Sequence, residues 1–173
     1  MKKLMVSVAV MFLVSAMPPP SIAAEVYAIK LVEWGIYDMT KVKKATPGKI
    51  VLVDHMKLVT LTDKIPAKLG TSFGLKFVVN GHPPGSKVRI LNRWLFPYPG
   101  VKDPKTGKLI HYLDQTSILP IGHSTTSHYV ISYFGLASWQ FTEPSELVPG
   151  PWKLQLWHGG KMFMEKTFTV YQP

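Results

Sequence analysis

From Glu25 onward the chain runs as short apolar–polar alternations, broken at fairly even intervals by prolines and glycines. A period of two predicts strands, and punctuation at that spacing predicts an all-β sandwich or barrel. No heptad repeat or amphipathic helical period competes with it. Glu25 to Tyr37 reads as a first strand with Tyr27, Ile29 and Leu31 on one face. Trp34 and Ile36 continue one residue out of phase, which predicts a bulge near Val32-Glu33. Lys49 to Leu61 reads as a second strand and Lys64 to Gly70 as a connection. Phe73, Leu75, Phe77 and Val79 alternate with Gly74, Lys76 and Asn80, the mark of a half-buried strand that stops at Asn80–Gly85.

Lys87 to Phe96 places Val88, Ile90 and Trp94 on one face and Arg89, Leu91, Arg93 and Leu95 on the other. Pro97 to Lys108 reads as a surface loop with a tight turn at Asp103–Gly107. Leu109–Leu119 and His128–Phe134 read as two more strands, and Ala137–Pro151 as a looping connection. In the closing hairpin Trp152, Leu154 and Leu156 alternate with Lys153, Gln155 and Trp157, and Met162, Met164, Phe168 and Val170 line one face of the return strand. A two-residue Gly159-Gly160 loop would oppose the core face with Phe163, Glu165 and Thr167, because a one-residue slip turns every side chain over. The pattern therefore predicts an odd-length loop, Gly159-Gly160-Lys161, with a bulge at a glycine, that sets Leu156 against Met164 and Trp152 against Phe168. Lys166 then points inward, and its stem must snorkel.

Glu146-Leu147-Val148-Pro149-Gly150-Pro151-Trp152, followed by Gly159-Gly160 and Lys166–Val170, resembles the closing hairpin of immunoglobulin-like bacterial domains. Ile65–Gly74 is similar to a secreted bacterial family of unknown function with that architecture, and the resemblance runs from about Leu58 to Val170. It implies an immunoglobulin-like antiparallel β-sandwich of about seven to nine strands. The family carries no established activity, so the resemblance implies no catalytic residues. The cysteine pair of antibody-type domains is absent.

Residues 1–24 add a cellular address. Lys2 and Lys3, the apolar run Leu4–Ala16, the breaker Pro18-Pro19-Pro20 and the small residues Ser21–Ala24 have the layout of a secretory signal peptide. Cleavage after Ala24 would leave 25–173 as one domain, periplasmic or secreted, with no second apolar run long enough to span a bilayer. With no cysteine, the domain has neither disulfide nor lipid-anchoring thiol. The chain has 20 basic and 10 acidic residues, a formal charge of +10, of which Lys2 and Lys3 belong to the leader. Such a surface attracts anions, and the anionic partners available outside the cytoplasm are polysaccharide, lipid headgroups and released nucleic acid. Nucleic-acid recognition would want arginines clustered with aromatics, whereas the chain has only Arg89 and Arg93, near Trp94.

Chemistry is sparsely represented. There is no Gly-x-Ser-x-Gly elbow, and His123-Ser124-Thr125-Thr126-Ser127-His128 reads as a polar hairpin tip. No two carboxylates form a tight pair, which disfavours glycosidase chemistry and points away from an enzyme. His55, His111, His123, His128, Met162 and Met164 are the ligands a copper or zinc site would draw on. Residues five apart on a strand face opposite ways, and the methionines fall on the core face, so no metal or cofactor is assigned. Trp157, facing outward beside Lys153 and Gln155, is a candidate glycan platform, with Tyr98, Trp139 and Phe141 on loops. The Pro97–Lys108 loop offers Tyr98, Lys102, Lys105 and Lys108, followed by His111. The expectation is a non-catalytic binding module that recognises a protein or an anionic envelope component through Tyr98, Lys102, Lys105, Lys108, His111 and Trp157. A glycan- or metal-binding sandwich is the alternative.

Overall fold

The computed structural model describes residues 24–39, 56–103, 106–126, 129–132 and 134–173. Residues 1–23 of the predicted leader and residues 49–55 of the predicted Lys49–Leu61 strand lie outside these residues. The elements are β1 (Glu25–Asp38), β2 (Lys57–Thr60), β3 (Lys64–Pro66), β4 (Ser72–His82), β5 (Lys87–Leu95), β6 (Val101–Lys102), β7 (Leu109–Ile110), β8 (Tyr112–Pro120), β9 (His123–Thr126), β10 (Tyr129–Ser132) and β11 (Gly135–Gln140). A 3-10 turn at Pro144–Glu146 leads into β12 (Gly150–His158) and β13 (Lys161–Tyr171). A four-stranded sheet in the order β11-β4-β1-β2 faces a five-stranded sheet in the order β3-β13-β12-β5-β8. β6–β7 and β9–β10 are separate two-stranded ribbons. Among the described residues every pairing is antiparallel except that of β3 with β13.

Alternating side chains of β5 and β12, and one face of the almost wholly buried β4, fill the space between the sheets. Phe73, Leu75 and Phe77 of one layer are fully buried against Ile90, Trp94, Trp152, Leu154 and Leu156 of the other. Phe73 and Trp152 tie the layers together through edge-on ring contacts, with centroids 5.9 Å apart for the pair itself. Phe73 also meets Trp94 at 5.6 Å and Phe168 at 5.3 Å. Rings in this tilted geometry gain about 0.5–1.5 kcal/mol per pair beyond their area burial. The indole N–H of Trp152 donates to the Val148 carbonyl at 2.9 Å, so the central ring is buried with its polar group satisfied. Gly74 permits the close β4–β11 approach, since a Cβ there would lie 2.2 Å from the Ala137 carbonyl oxygen.

The bulge predicted near Val32-Glu33 is present as a register shift between Leu31 and Glu33. A second shift, between Val26 and Ala28, was not anticipated. It turns Tyr27 out to 58% exposure and gives its inward place to Val26, so Tyr27 does not share the face of Ile29. In the closing hairpin Trp152 pairs with Phe168 and Leu156 with Met164, as the alternation required. The phase is adjusted differently from the expectation. The turn has two residues, Gly159 and Gly160, with φ of +56° and +78° as a type I′ hairpin demands. The odd residue is Phe163, set into a bulge because Trp157 pairs with Met162. Met162 therefore leaves the core face and is 43% exposed. Lys166 does point inward: its side chain is 20% exposed, with Nζ 4.4 Å from the Trp34 ring and 3.9 Å from Asp63.

Three predicted loops contain strands. Lys64–Pro66 is β3, laid parallel along β13 with Ile65 fully buried. Pro97–Lys108 is no simple surface loop, because Val101 is buried and β6 pairs with β7. The predicted Leu109–Leu119 strand breaks at His111 into β7 and β8. Ala137–Pro151 begins inside β11, which pairs with β4. Phe141 is fully buried and Trp139 packs on Trp94, Phe96 and Trp152, so neither ring is on a surface loop. Where β11 gives way to β12, the carboxylate of the buried Glu146 accepts from the Thr142 amide, the Thr142 hydroxyl and the Glu143 amide.

Candidate functional site

The five-stranded sheet buries one face and leaves the other to solvent. Its pairings place Trp157 of β12 opposite Leu91, Gln155 opposite Arg93, Arg93 opposite Asp114, and Leu95 opposite Tyr112. Side chains diagonal to one another on one face of a sheet lie within reach of long and aromatic groups. Trp157, Arg93 and Tyr112 occupy such a diagonal across β12, β5 and β8. The Arg93 guanidinium sits 5.8 Å from the Trp157 ring centroid and 5.2 Å from that of Tyr112.

This stripe is held in place by charge-assisted hydrogen bonds. Arg93 donates from Nε and Nη2 to the two carboxylate oxygens of Asp114, both at 2.7 Å. Such a fork fixes orientation as well as charge. The hydrogen bond from Arg93 holds the Asp114 carboxyl below its ordinary range, and Asp114 in turn raises the arginine. Trp157 donates its indole N–H to Gln155 Oε1 at 3.0 Å, and Gln155 Nε2 donates to Glu165 at 2.7 Å. That bond, with Lys153 at 3.4 Å, lowers the Glu165 carboxyl. The network leaves the rings of Trp157 and Tyr112 on the outer face with their neighbours fixed.

At the hairpin end of the same face lies an open depression of about 380 Å³, bounded by Arg89, Leu91, Arg93, Trp157, His158 and the Gly159-Gly160 turn. His158 Nδ1 is 2.9 Å from the Arg89 carbonyl oxygen. A carbonyl only accepts, so Nδ1 carries the ring proton and Nε2 is left as the second nitrogen.

Of the residues singled out in the sequence, Trp157 belongs to this face. Tyr98, Lys102, Lys108 and His111 are exposed around the β6–β7 ribbon, with Tyr98 at 91%, while Lys105 lies outside the described residues. The ribbon is shaped by the Asp103 N–H bonded to the Lys108 carbonyl and by Gly107 N–H bonded back to Asp103. It leaves the sheet beside Leu95 and Tyr112, four residues or about 13 Å along β5 from Leu91, the partner of Trp157. The structure thus separates the ribbon residues from Trp157 and brings Arg93, Tyr112, Gln155, Asp114 and Arg89 to it instead. The outward placing of Arg89, Arg93, Gln155 and Trp157 was legible from alternation. That β5 lies between β12 and β8 was not. Among the described residues no group of three or more His, Asp or Glu could hold a metal ion, and Met162 and Met164 are split between the two faces. No helix among the described residues is long and apolar enough to cross a membrane.

A family model described as a domain of unknown function (DUF3859) matches residues 25–170. Among solved structures, an immunoglobulin-like protein from Pseudomonas aeruginosa aligns with a TM-score of 0.56 at 22% identity, over 88% of this chain and 100% of that one. At that identity the likeness speaks for the fold alone. No curated protein matches.

Proposed function

The chain belongs to the DUF3859 family of domains of unknown function and has an immunoglobulin-like β-sandwich fold, and from that premise we propose that it is a non-catalytic binding module, exported to the periplasm or beyond after loss of residues 1–24. Its recognition surface is the outer face of the five-stranded sheet, and its partner is an anionic envelope component. The observation that carries this reading is the Trp157–Arg93–Tyr112 stripe, in which a cation is clamped beside two aromatic rings on an exposed sheet face. Aromatic and arginine side chains dominate the energetics of binding surfaces, and prior fixing of their orientation lowers the ordering cost of association. The basic composition adds a long-range attraction to anions. The exposed lysines and Tyr98 of the β6–β7 ribbon stand at one end of the stripe, where they extend the contact to a larger ligand.

The test is binding of residues 25–173 to purified acidic polysaccharide and to anionic lipid vesicles. The Trp157→Ala/Tyr112→Ala double variant is expected to lose about tenfold or more in affinity for whichever of these binds, with its circular dichroism unchanged. Equal binding by wild type and a folded double variant would remove this face from recognition.

A further inference from the structure

We propose that the depression at the hairpin end is a subsite for a carboxylate-bearing sugar, with Arg89 as the anion-binding residue and Trp157 as the ring platform. The proposal rests on the reading of the outer face as the recognition surface, and it names the class of ligand. Both arginines of the chain line this depression. They are not equivalent. Arg93 is committed to Asp114 through two hydrogen bonds. Arg89, exposed two steps along the same face of β5, has no carboxylate partner among the described residues. The face therefore carries one neutralised guanidinium and one with its fork open. An open fork matches the two oxygens of a carboxylate.

The remaining walls suit a sugar ring better than a bare ion. Leu91 and the Trp157 indole are apolar, and the C–H face of a pyranose packs on such a ring while its hydroxyls face the polar neighbours. The hydrogen bond from Trp157 to Gln155 fixes the indole before any ligand arrives. His158, anchored through Nδ1 to the backbone of Arg89, presents its other nitrogen as a hydrogen-bonding group. Gly159 and Gly160 close the end, and a Cβ at either would meet nothing within 4 Å, so the turn leaves open space for a ligand against the backbone. A volume of about 380 Å³ lies in the small range for pockets that take one compact ligand. A depression walled by a single indole fits one sugar unit of an acidic polysaccharide better than a flat lipid surface.

The discriminating experiment is isothermal titration of residues 25–173 with oligogalacturonate and oligoalginate, and with the neutral methyl ester of the first. Wild type is expected to prefer the acids over the ester by about tenfold or more. Arg89→Gln should lower acid affinity by about ten- to a hundredfold and erase the preference, while leaving ester affinity unchanged. Trp157→Ala should weaken acid and ester alike. Equal affinity for acid and ester in wild type, lost in Trp157→Ala, would overturn the anion subsite and leave the recognition face standing. Retention by anionic vesicles in an Arg89-dependent way, without affinity for any oligosaccharide, would reassign the subsite to a headgroup and overturn the sugar. Failure of both probes, with vesicles and polysaccharide also unbound, would overturn the face together with the subsite.

Discussion

Arg93 and Asp114 show how a single exposed pair can organise a surface without holding up the fold. Each side chain is about one-third exposed, and surface ion pairs contribute little to stability. Their role is geometric, since the doubly bonded guanidinium is what stands beside Trp157 and Tyr112. The Asp114 carboxyl is depressed by that bonding. A depressed carboxyl contributes stability that is fully present above the unfolded carboxylate value of about 4 and is lost as pH falls through the folded value. Glu165, lowered by Gln155, follows the same sign. We expect the urea midpoint to fall modestly in acid, below about pH 4, and Asp114→Asn to flatten part of that fall. A variant more acid-sensitive than wild type would contradict the assignment. By contrast Tyr37, whose phenol is raised first by burial and then by Glu33, stays neutral throughout this range.

Among the elements, the β12–β13 hairpin shows what alternation can and cannot disclose. The pairing of Trp152 with Phe168 followed from burying one face, but the choice between a longer turn and a bulge did not, since both restore the phase. Nuclear Overhauser contacts are expected between Leu156 and Met164 and between Trp157 and Met162. A Leu156–Phe163 backbone pair in their place would refute the bulge. β5 was legible because its nine residues alternate against one buried face, and β4 through Phe73, Leu75, Phe77 and Val79; the opposite face of β4, expected to be open, is buried at Ser72, Gly74 and Val78, because β4 lies between β11 and β1. β3 and β6 were not legible, since three and two residues are too few to express a period; β3 exists through a partner remote in sequence, and β6 through the short hairpin it closes with β7. β11 was hidden by its small residues. Gly135 is small because a Cβ would sit 2.5 Å from the Phe77 ring, which thins the apolar signal to that of a loop. The site was legible only in part for a related reason. Trp157, Arg93 and Tyr112 each read as outward or unremarkable alone, and their meeting depends on three strands non-consecutive in the chain.

At the scale of the whole molecule, stability and the proposed recognition rest on different forces. Two layers are joined by an apolar, ring-rich core without disulfides, a set of contacts that salt does not screen. The recognition proposed above would draw on a net positive charge, whose reach shrinks to about 8 Å at physiological ionic strength. Raising sodium chloride from 20 to about 300 mM should therefore weaken capture of acidic polysaccharide several-fold while leaving the thermal midpoint nearly unmoved. Parallel losses in both would mean that the charged outer network, and not the core, carries the fold.

The short parallel strand β3 has a consequence for assembly. By occupying the outer side of β13, with Ala67 N–H bonded to the Tyr171 carbonyl and Thr169 N–H to that of Asp63, it blunts one margin of the five-stranded sheet. Among the described residues, the other margin, β8, has no strand beyond it. Polymerisation of that sheet by main-chain pairing would have one growing end instead of two. A pair of copies meeting β8 to β8 about a two-fold axis would consume both such ends, yielding a closed ten-stranded dimer in which no fibre can propagate.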